Sequence, residues 1–150
     1  QGIEYVTHGQ IKVAEKAGFN ERLGVMSQRV AELIAQIRPN IAVVERIFLG
    51  KNVDSAFKLG HIRGVCIFEA QKVGAEIHEY LPRVVKAGIT GSGSASKEQV
   101  QVLLYNLLKI RTVAGQDKTT LDASDALALA FHHAVQMDVQ RRLQRAGINP

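Results

Sequence analysis

Three carboxylates are placed where they could hold divalent metal ions. Asp122 and Asp125 are three residues apart at the start of an alanine-rich stretch, so on a helix both project from one face of its first turn. Glu45 directly follows the apolar run Ile41–Val44, and open α/β sheets place functional groups just beyond the carboxyl ends of such strands. Acidic groups gathered in one cleft repel each other, and a divalent cation relieves that repulsion. Oxygen ligands favour Mg²⁺ or Mn²⁺, and two such ions can clamp a phosphodiester, activate water and stabilise the departing oxygen.

Each of these carboxylates also has an ordinary structural interpretation. Asp122 is a good N-cap, and Asp125 at the third helical position would complement the helix dipole. Glu45 could be a surface residue in a turn. The spacing alone therefore leaves metal-binding and structural roles open for all three.

The distribution of basic residues predicts a polyanionic partner. The chain has 150 residues, a net charge of +5 and a pI of about 9.6. Residues 83–118 contain six basic residues against Glu98 and Asp117, and residues 46–72 contain five against Asp54 and Glu69. Nucleic acid is a natural ligand for such stretches, with an ordinary solvated surface as the alternative.

Several other kinds of function are disfavoured. The glycines of Gly91-Ser92-Gly93 precede Lys97, but a phosphate-binding loop requires Gly at position 96 and Ser or Thr at position 98. His132 and His133 are adjacent, so they do not form a metal-binding pair on one helix face. Nothing suggests export or membrane spanning, because we find no leader and no apolar run of about 18 residues. Cys66 is the single cysteine and can form no internal disulfide, which suits a reducing, intracellular setting, so we expect a cytoplasmic protein. The lack of a long apolar run also predicts that the protein has no membrane partner.

The order of predicted elements indicates an α/β fold with helices flanking a central sheet. We expect one domain over residues 1–150. The predicted elements are a strand within residues 3–13, a helix capped by Asn20 and ending near 37, a strand at 41–44, a helix at 53–72 starting near Asn52 or Asp54, a strand at 75–80, a Gly/Ser loop at 88–96, a helix at 97–109 capped by Ser94 or Ser96, a second loop at 112–120, and a helix from about 122 to 145.

The second predicted helix carries small residues every four positions, at Ala56, Gly60 and Gly64. A glycine inside a helix costs about 1 kcal/mol relative to alanine. We therefore expect another backbone to approach this face closely, either from the chain's own sheet or from a second subunit.

Three ordered blocks of sequence resemble the RuvC family of Holliday junction resolvases. The first comprises I-A-V-V-E-R-I-F at 41–48, K-N-V-D-S-A at 51–56 and K-L-G-H-I-R-G at 58–64. The second comprises V-K at 85–86, G-S-G at 91–93, Ala95 and K-E-Q-V at 97–100. The third is D-A-S-D-A-L-A at 122–128. The resemblance implies an RNase H-like mixed sheet flanked by helices, a homodimer, and Mg²⁺-dependent cleavage that resolves four-way junctions by symmetric nicks in recombination and DNA repair.

The resemblance also assigns roles to individual residues. Glu45, Asp122 and Asp125 fall on metal-binding catalytic carboxylates, which would hold two Mg²⁺ ions, with Mn²⁺ also suitable. Lys86 and Lys97 fall on lysines that handle phosphate near the scissile bond.

The first block carries the remaining implied DNA contacts. Phe48 falls on an aromatic residue that stacks on an unpaired base, although by itself it would be interpreted as core packing beside Ile47. Arg46, Lys51 and Asn52 complete the predicted DNA-contacting set. The glycine-bearing helix matches the region of the dimer contact, and the family also suggests contacts with the RuvA/RuvB branch-migration complex.

One departure from the family pattern bears on activity. The family opens with a strand and a G-x-D-P-G-type turn whose Asp is the first catalytic carboxylate, whereas this sequence begins Q-G-I-E-Y, which resembles a later strand. We therefore expect the N-terminal strand segment to be missing, and this chain to bind junctions but cleave them poorly. The alternative function is a catalytically inactive, junction-binding or scaffolding dimer of the same fold.

Overall fold

The structure, a computed structural model, describes residues 2–46, 52–110 and 121–148. The chain divides into two compact units. Residues 11–81 form the strand unit, and residues 1–10 together with 82–150 form the helical unit. The expectation of one domain over the whole chain stays a prediction.

The strand unit contains a parallel pair of strands joined by a helix. Its elements are α1 (Phe19–Ile37), β1 (Ile41–Glu45), α2 (Val53–Lys72) and β2 (Glu76–Tyr80). The two strands pair in parallel, with Glu45 opposite Tyr80 at the carboxyl end. Parallel strands require a long connection, and α2 supplies it while packing against both strands and against α1. The predicted elements from residue 41 to residue 80 are confirmed.

The ends of the two helices in this unit follow from local chemistry. The predicted Asn20 cap is wrong: α1 begins at Phe19, with Gly18 as its N-cap, so Asn20 is already helical. It ends at Ile37, and its C-cap Arg38 has a φ of 48°. Arg38 precedes Pro39, and a residue before proline is disfavoured in the α conformation, so the helix does not continue. Of the two residues predicted near the start of α2, Asn52 is the cap: its side-chain oxygen accepts a hydrogen bond from the amide of Ser55 at 3.0 Å.

The strand expected within residues 3–13 is not present, and residues 2–13 form neither helix nor strand. A strand needs a neighbouring backbone to complete its hydrogen bonds, and alternating side chains alone do not provide one. Side chains hold this segment instead. The Tyr5 hydroxyl lies 2.7 Å from Nδ1 of His8, and Nε2 of His8 lies 2.9 Å from the hydroxyl of Tyr105.

The helical unit packs α3 (Pro82–Thr90), α4 (Lys97–Leu107) and α5 (Leu121–Arg145) against one another. Its core is formed by small and aliphatic residues together with a few polar ones, including Val85, Val100, Leu104, Ala128 and His132. A capping box starts α4: Ser96 accepts from the amide of Gln99, and the Gln99 side chain accepts from the amide of Ser96.

The helix α3 was not predicted, because Gly88–Thr90 were assigned to the Gly/Ser loop. Pro82, as the first helical residue, was the overlooked signal, since proline suits that position. Gly88 is tolerated inside α3 because a helix packs closely against it: a Cβ there would lie 2.3 Å from Nδ1 of His132 on α5.

The glycine face of α2 is open. A Cβ atom added to Gly60 or Gly64 would meet nothing within 4 Å among the described residues, and both glycines are exposed. Packing against the chain's own sheet is therefore the wrong explanation for this face.

Among the described helices, none is both long enough and apolar enough to cross a membrane.

Candidate functional site

The acidic pair of the helical unit converges on a single ammonium group. Nζ of Lys97 lies 3.0 Å from Oδ1 of Asp122 and 2.7 Å from Oδ2 of Asp125. Lys97 is the first residue of α4, and the two aspartates lie in the first two turns of α5. The packing of α4 against α5 thus places two carboxylates from one helix around one cation from another.

The alternative role of Asp122 as an N-cap is wrong, because α5 starts two residues earlier than that role requires. Leu121 is the first helical residue, so Asp122 is the second and Asp125 the fifth. Asp122 still lies at the positive end of the helix dipole, and its carboxylate points to Lys97. Ser124, between the two aspartates, is buried and donates to the carbonyl of Leu121 at 2.7 Å. The start of α5 is therefore held in the core by the buried Ser124, while the carboxylates of Asp122 and Asp125 are accessible to solvent.

The two carboxylates keep the ammonium of Lys97 charged. The hydrogen bond to Asp125, followed by that to Asp122, raises the pKa of the Lys97 ammonium above its usual range. The Asp122 side chain is 75% exposed and that of Asp125 is 36% exposed. A solvated cation can therefore reach either carboxylate from water.

The donor set fits a hard divalent ion. Two carboxylate oxygens from separate residues already lie about 3 Å from one positive charge, and Mg²⁺ and Mn²⁺ prefer oxygen ligands. Within the described part of the helical unit, no three His, Cys, Asp or Glu side chains are grouped so that they could hold an ion. The pair could thus supply two ligands to such an ion. His132 and His133 are buried in the core of the unit.

Lys86 is held beside the start of α4. Its Nζ donates to the carbonyl of Ala95 at 2.8 Å, directly before the Ser96 cap. Because Lys86 projects from α3, this bond fixes a positive charge next to the Gly/Ser turn at residues 91–95. The sequence pattern indicates Lys86, but its partner, the Ala95 carbonyl, depends on how α3 packs against the start of α4.

Glu45 ends β1 in the strand unit, as the sequence predicted. Arg63 of α2 donates from Nε to the Glu45 carbonyl at 3.3 Å, and its guanidinium also pairs with the carboxylate of Glu79 on β2. Arg46 follows directly: its amide donates to the carbonyl of Tyr80 at 2.9 Å, and its Nε lies 3.8 Å from Oε2 of Glu79. The carboxyl end of β1 is therefore fixed from two sides.

This positioning role of Arg63 and Glu79 was not predicted from the sequence. The available signal was Arg63 itself, which stands in the L-G-H-I-R-G segment at 59–64. Asn52, predicted as a DNA contact, already uses its side-chain oxygen to cap α2. Phe48 and Lys51 lie outside the described residues.

Comparisons of sequence and of structure both match this chain to the same family of known proteins. Residues 1–133 match the family model described as "Crossover junction endodeoxyribonuclease RuvC". The chain is 45% identical over 144 residues to the protein of that name from Bdellovibrio bacteriovorus, covering 96% of this chain and 83% of the relative. It is 42% identical over 134 residues to the protein of the same name from Pseudomonas putida, covering 89% and 74%.

Two solved structures share the fold. "Thermus thermophilus RuvC structure" superposes with a TM-score of 0.67 at 26% identity, covering 84% of this chain and 75% of that chain. "T. thermophilus RuvC in complex with Holliday junction substrate" superposes with a TM-score of 0.72 at 25% identity, covering 86% and 75%. The expected α/β, RNase H-like fold class is confirmed. Members of this family are metal-dependent nucleases, and the chain belongs to the RuvC family of crossover junction endodeoxyribonucleases.

Proposed function

We propose that this protein is a metal-dependent endonuclease that resolves Holliday junctions by symmetric phosphodiester hydrolysis in recombination and DNA repair. The observation that carries this proposal is the convergence of Asp122 and Asp125 on one cation. This convergence occurs in a chain whose relatives are named crossover junction endodeoxyribonucleases. A structural relative is titled as a complex with Holliday junction substrate, which supports four-way DNA as the ligand.

The proposed metal is Mg²⁺, as two ions, with Mn²⁺ as a substitute. Asp122, Asp125 and Glu45 are the proposed ligands from this chain. When bound, the metal would neutralise charge on the scissile phosphate and would favour deprotonation of an attacking water. Asp122 and Asp125 are accessible from water and oriented by α5, while Glu45 is placed by the end of β1.

The proposed DNA contacts come from basic and polar residues of both units. Lys86 and Lys97 would hold backbone phosphates, because an ammonium is a compact point charge that suits phosphate oxygens. Arg46 and Asn52 lie on either side of the segment that contains Phe48 and Lys51, and we propose all four as contacts to the junction. The base-stacking role of Phe48 is part of this proposal.

We propose a homodimer formed through the open face of α2. Val53, Phe57, Gly60, Gly64 and Phe68 recur at spacings of three and four residues, and all five are exposed. Glycines on such a face let two helices approach closely, and the apolar residues would gain by burial. Gly60→Glu should therefore convert the protein to monomers in sedimentation analysis. Gly24→Glu, at an exposed helical glycine of α1, should not.

We also propose that the protein is cytoplasmic and that it contacts the RuvA/RuvB branch-migration complex. Cell fractionation and co-purification of the tagged chain test these two points directly.

The central experiment measures binding and cleavage of a four-way junction and of a matched duplex, with and without Mg²⁺. We expect junction-selective binding in both conditions. Cleavage by this chain should be slow, should require Mg²⁺ and should leave 5′-phosphate and 3′-hydroxyl ends. Asp125→Asn and Asp122→Asn should abolish cleavage and retain binding. The matched control is Asp138→Asn, on the same helix, where Asp138 pairs with Arg142.

Glu45→Gln tests the third ligand, with Glu32→Gln as its control because Glu32 lies on the exposed side of α1 and bonds Gln28. Junction binding without cleavage under any metal condition would favour a catalytically inactive, junction-binding or scaffolding dimer if a form that also carries the family's N-terminal strand segment is equally inactive. Comparable cutting of flaps or replication forks would contradict the assignment to four-way DNA.

A further inference from the structure

The point between Asp122 and Asp125 holds the ammonium of Lys97 in this structure. We propose that Lys97 is an exchangeable counter-cation. Without metal its ammonium neutralises the two aspartates, and with metal bound it withdraws and becomes available to a DNA phosphate. This inference rests on the proposed function, because it takes Asp122 and Asp125 as metal ligands.

The geometry of the cluster is that of one cation shared by two anions. The ammonium bonds one oxygen from each carboxylate, at 3.0 Å and 2.7 Å, so it lies between the side chains of Asp122 and Asp125. Two carboxylates directed at one point repel each other unless a positive charge lies there. Lys97 supplies that charge from the protein itself.

The position of Lys97 indicates that a lysine is not there to stabilise its own helix, α4. Lys97 is the first residue of α4, where the helix dipole is positive and a basic side chain is unfavourable. The Ser96–Gln99 capping box already satisfies the start of the helix without it. The ion pairs across to α5 are the interactions that compensate for this placement.

Metal and ammonium compete for this site because both are cations that need the same carboxylate oxygens. Exposed ion pairs are weak, and the Lys97 side chain is 44% exposed, so it can leave without unfolding its surroundings. A displaced ammonium beside bound DNA has a phosphate as its natural partner. By linkage, a DNA phosphate that engages Lys97 should in turn increase the affinity of the aspartate pair for metal.

The first test measures Mn²⁺ binding to the purified protein without DNA, from the electron paramagnetic resonance signal of free Mn²⁺. Removing the competitor in Lys97→Gln should tighten binding by about fivefold or more. Lys97→Arg keeps the positive charge and should stay close to the wild type. Arg142→Gln removes a cation from the Asp138 pair on the same helix and should also leave the affinity unchanged. Unchanged or weaker Mn²⁺ binding in Lys97→Gln would overturn the inference.

The second test follows the ammonium group itself by nitrogen-15 NMR of lysine side chains, with Lys97→Gln identifying the signal. Titration with Mg²⁺ should move the Lys97 resonance towards those of solvated lysines, with a midpoint that matches metal binding. If the resonance stays unchanged at saturating Mg²⁺, Lys97 does not exchange.

Asp122→Asn and Asp125→Asn separate this inference from the proposed function. If these variants lose Mn²⁺ affinity while Lys97→Gln has no effect, the metal site stands and only the exchange is wrong. If they bind Mn²⁺ as the wild type does, the aspartate pair is not the metal site, and both proposals fail.

Discussion

Gly88 of α3 and His132 of α5 are packed so closely that the glycine has no room for a side chain. A Cβ atom at position 88 would lie 2.3 Å from Nδ1 and 2.6 Å from Cε1 of the buried imidazole. This contact sets how near α3, which carries Lys86, comes to α5, which carries Asp122 and Asp125.

Gly88→Ala should therefore destabilise the protein by about 1–3 kcal/mol, because the methyl group overpacks the helix contact. The double variant Gly88→Ala with His132→Ala should be more stable than the sum of the two single effects, because the small side chain makes room for the methyl group. Chemical denaturation measures all three free energies of unfolding. Gly24→Ala is the control: its Cβ meets nothing within 4 Å, so it should stabilise α1 by about 0.5–1 kcal/mol. Additive effects at positions 88 and 132 would contradict the contact.

The burial of His132 should make stability depend on pH. Burial lowers the pKa of this imidazole, so the folded state takes up its proton at a lower pH than the unfolded state, whose histidine titrates near pH 6.5. Below about pH 6.5 the unfolded state binds more protons, and the free energy of unfolding falls as the pH falls. The difference in unfolding free energy between wild type and His132→Gln, measured from pH 8 down to pH 5, should shrink as the pH drops. A difference independent of pH would contradict this.

The Arg63–Glu79 pair should both stabilise the packing of α2 on the strands and hold Glu45 in position. Both side chains are about 30% exposed, and Arg63 also bonds the Glu45 carbonyl. A double-mutant cycle with Arg63→Met and Glu79→Gln should give a coupling energy of about 1 kcal/mol. Junction cleavage by Arg63→Met should slow by about tenfold or more, because a small displacement of Glu45, a proposed metal ligand, is costly. Arg29→Met, at an exposed residue of α1, should cleave at the wild-type rate.

The capping box should be the main local determinant of the start of α4. Ser96→Ala removes the oxygen that accepts from the Gln99 amide, so we expect a loss of about 1 kcal/mol in unfolding free energy. Ser94→Ala is the neighbouring control, since the Ser94 hydroxyl bonds only the hydroxyl of Ser92 among the described contacts. Equal effects of the two substitutions in urea denaturation would argue against the capping role.

The sequence by itself determined the family, the α/β class and the elements that depend on local signals. Asn52 and Ser96 are good helix caps, and both start helices where the pattern predicted. The apolar run ending in Glu45 forms a strand, as predicted. The spacing of Asp122 and Asp125 was sufficient to place both carboxylates on one side of a helix.

Tertiary structure decided what those residues contact. No local pattern distinguishes Gly88 as a loop residue from Gly88 as a close approach to His132, because the difference lies on another helix. The opening segment alternates like a strand yet forms none, because strand formation requires a partner backbone. The cation between Asp122 and Asp125 comes from a residue 25 positions away from Asp122, and only the packing of α4 on α5 brings Lys97 there. Spacing along the chain identifies candidate ligands on one helix, whereas the positive charge that lies between them depends on contacts between helices.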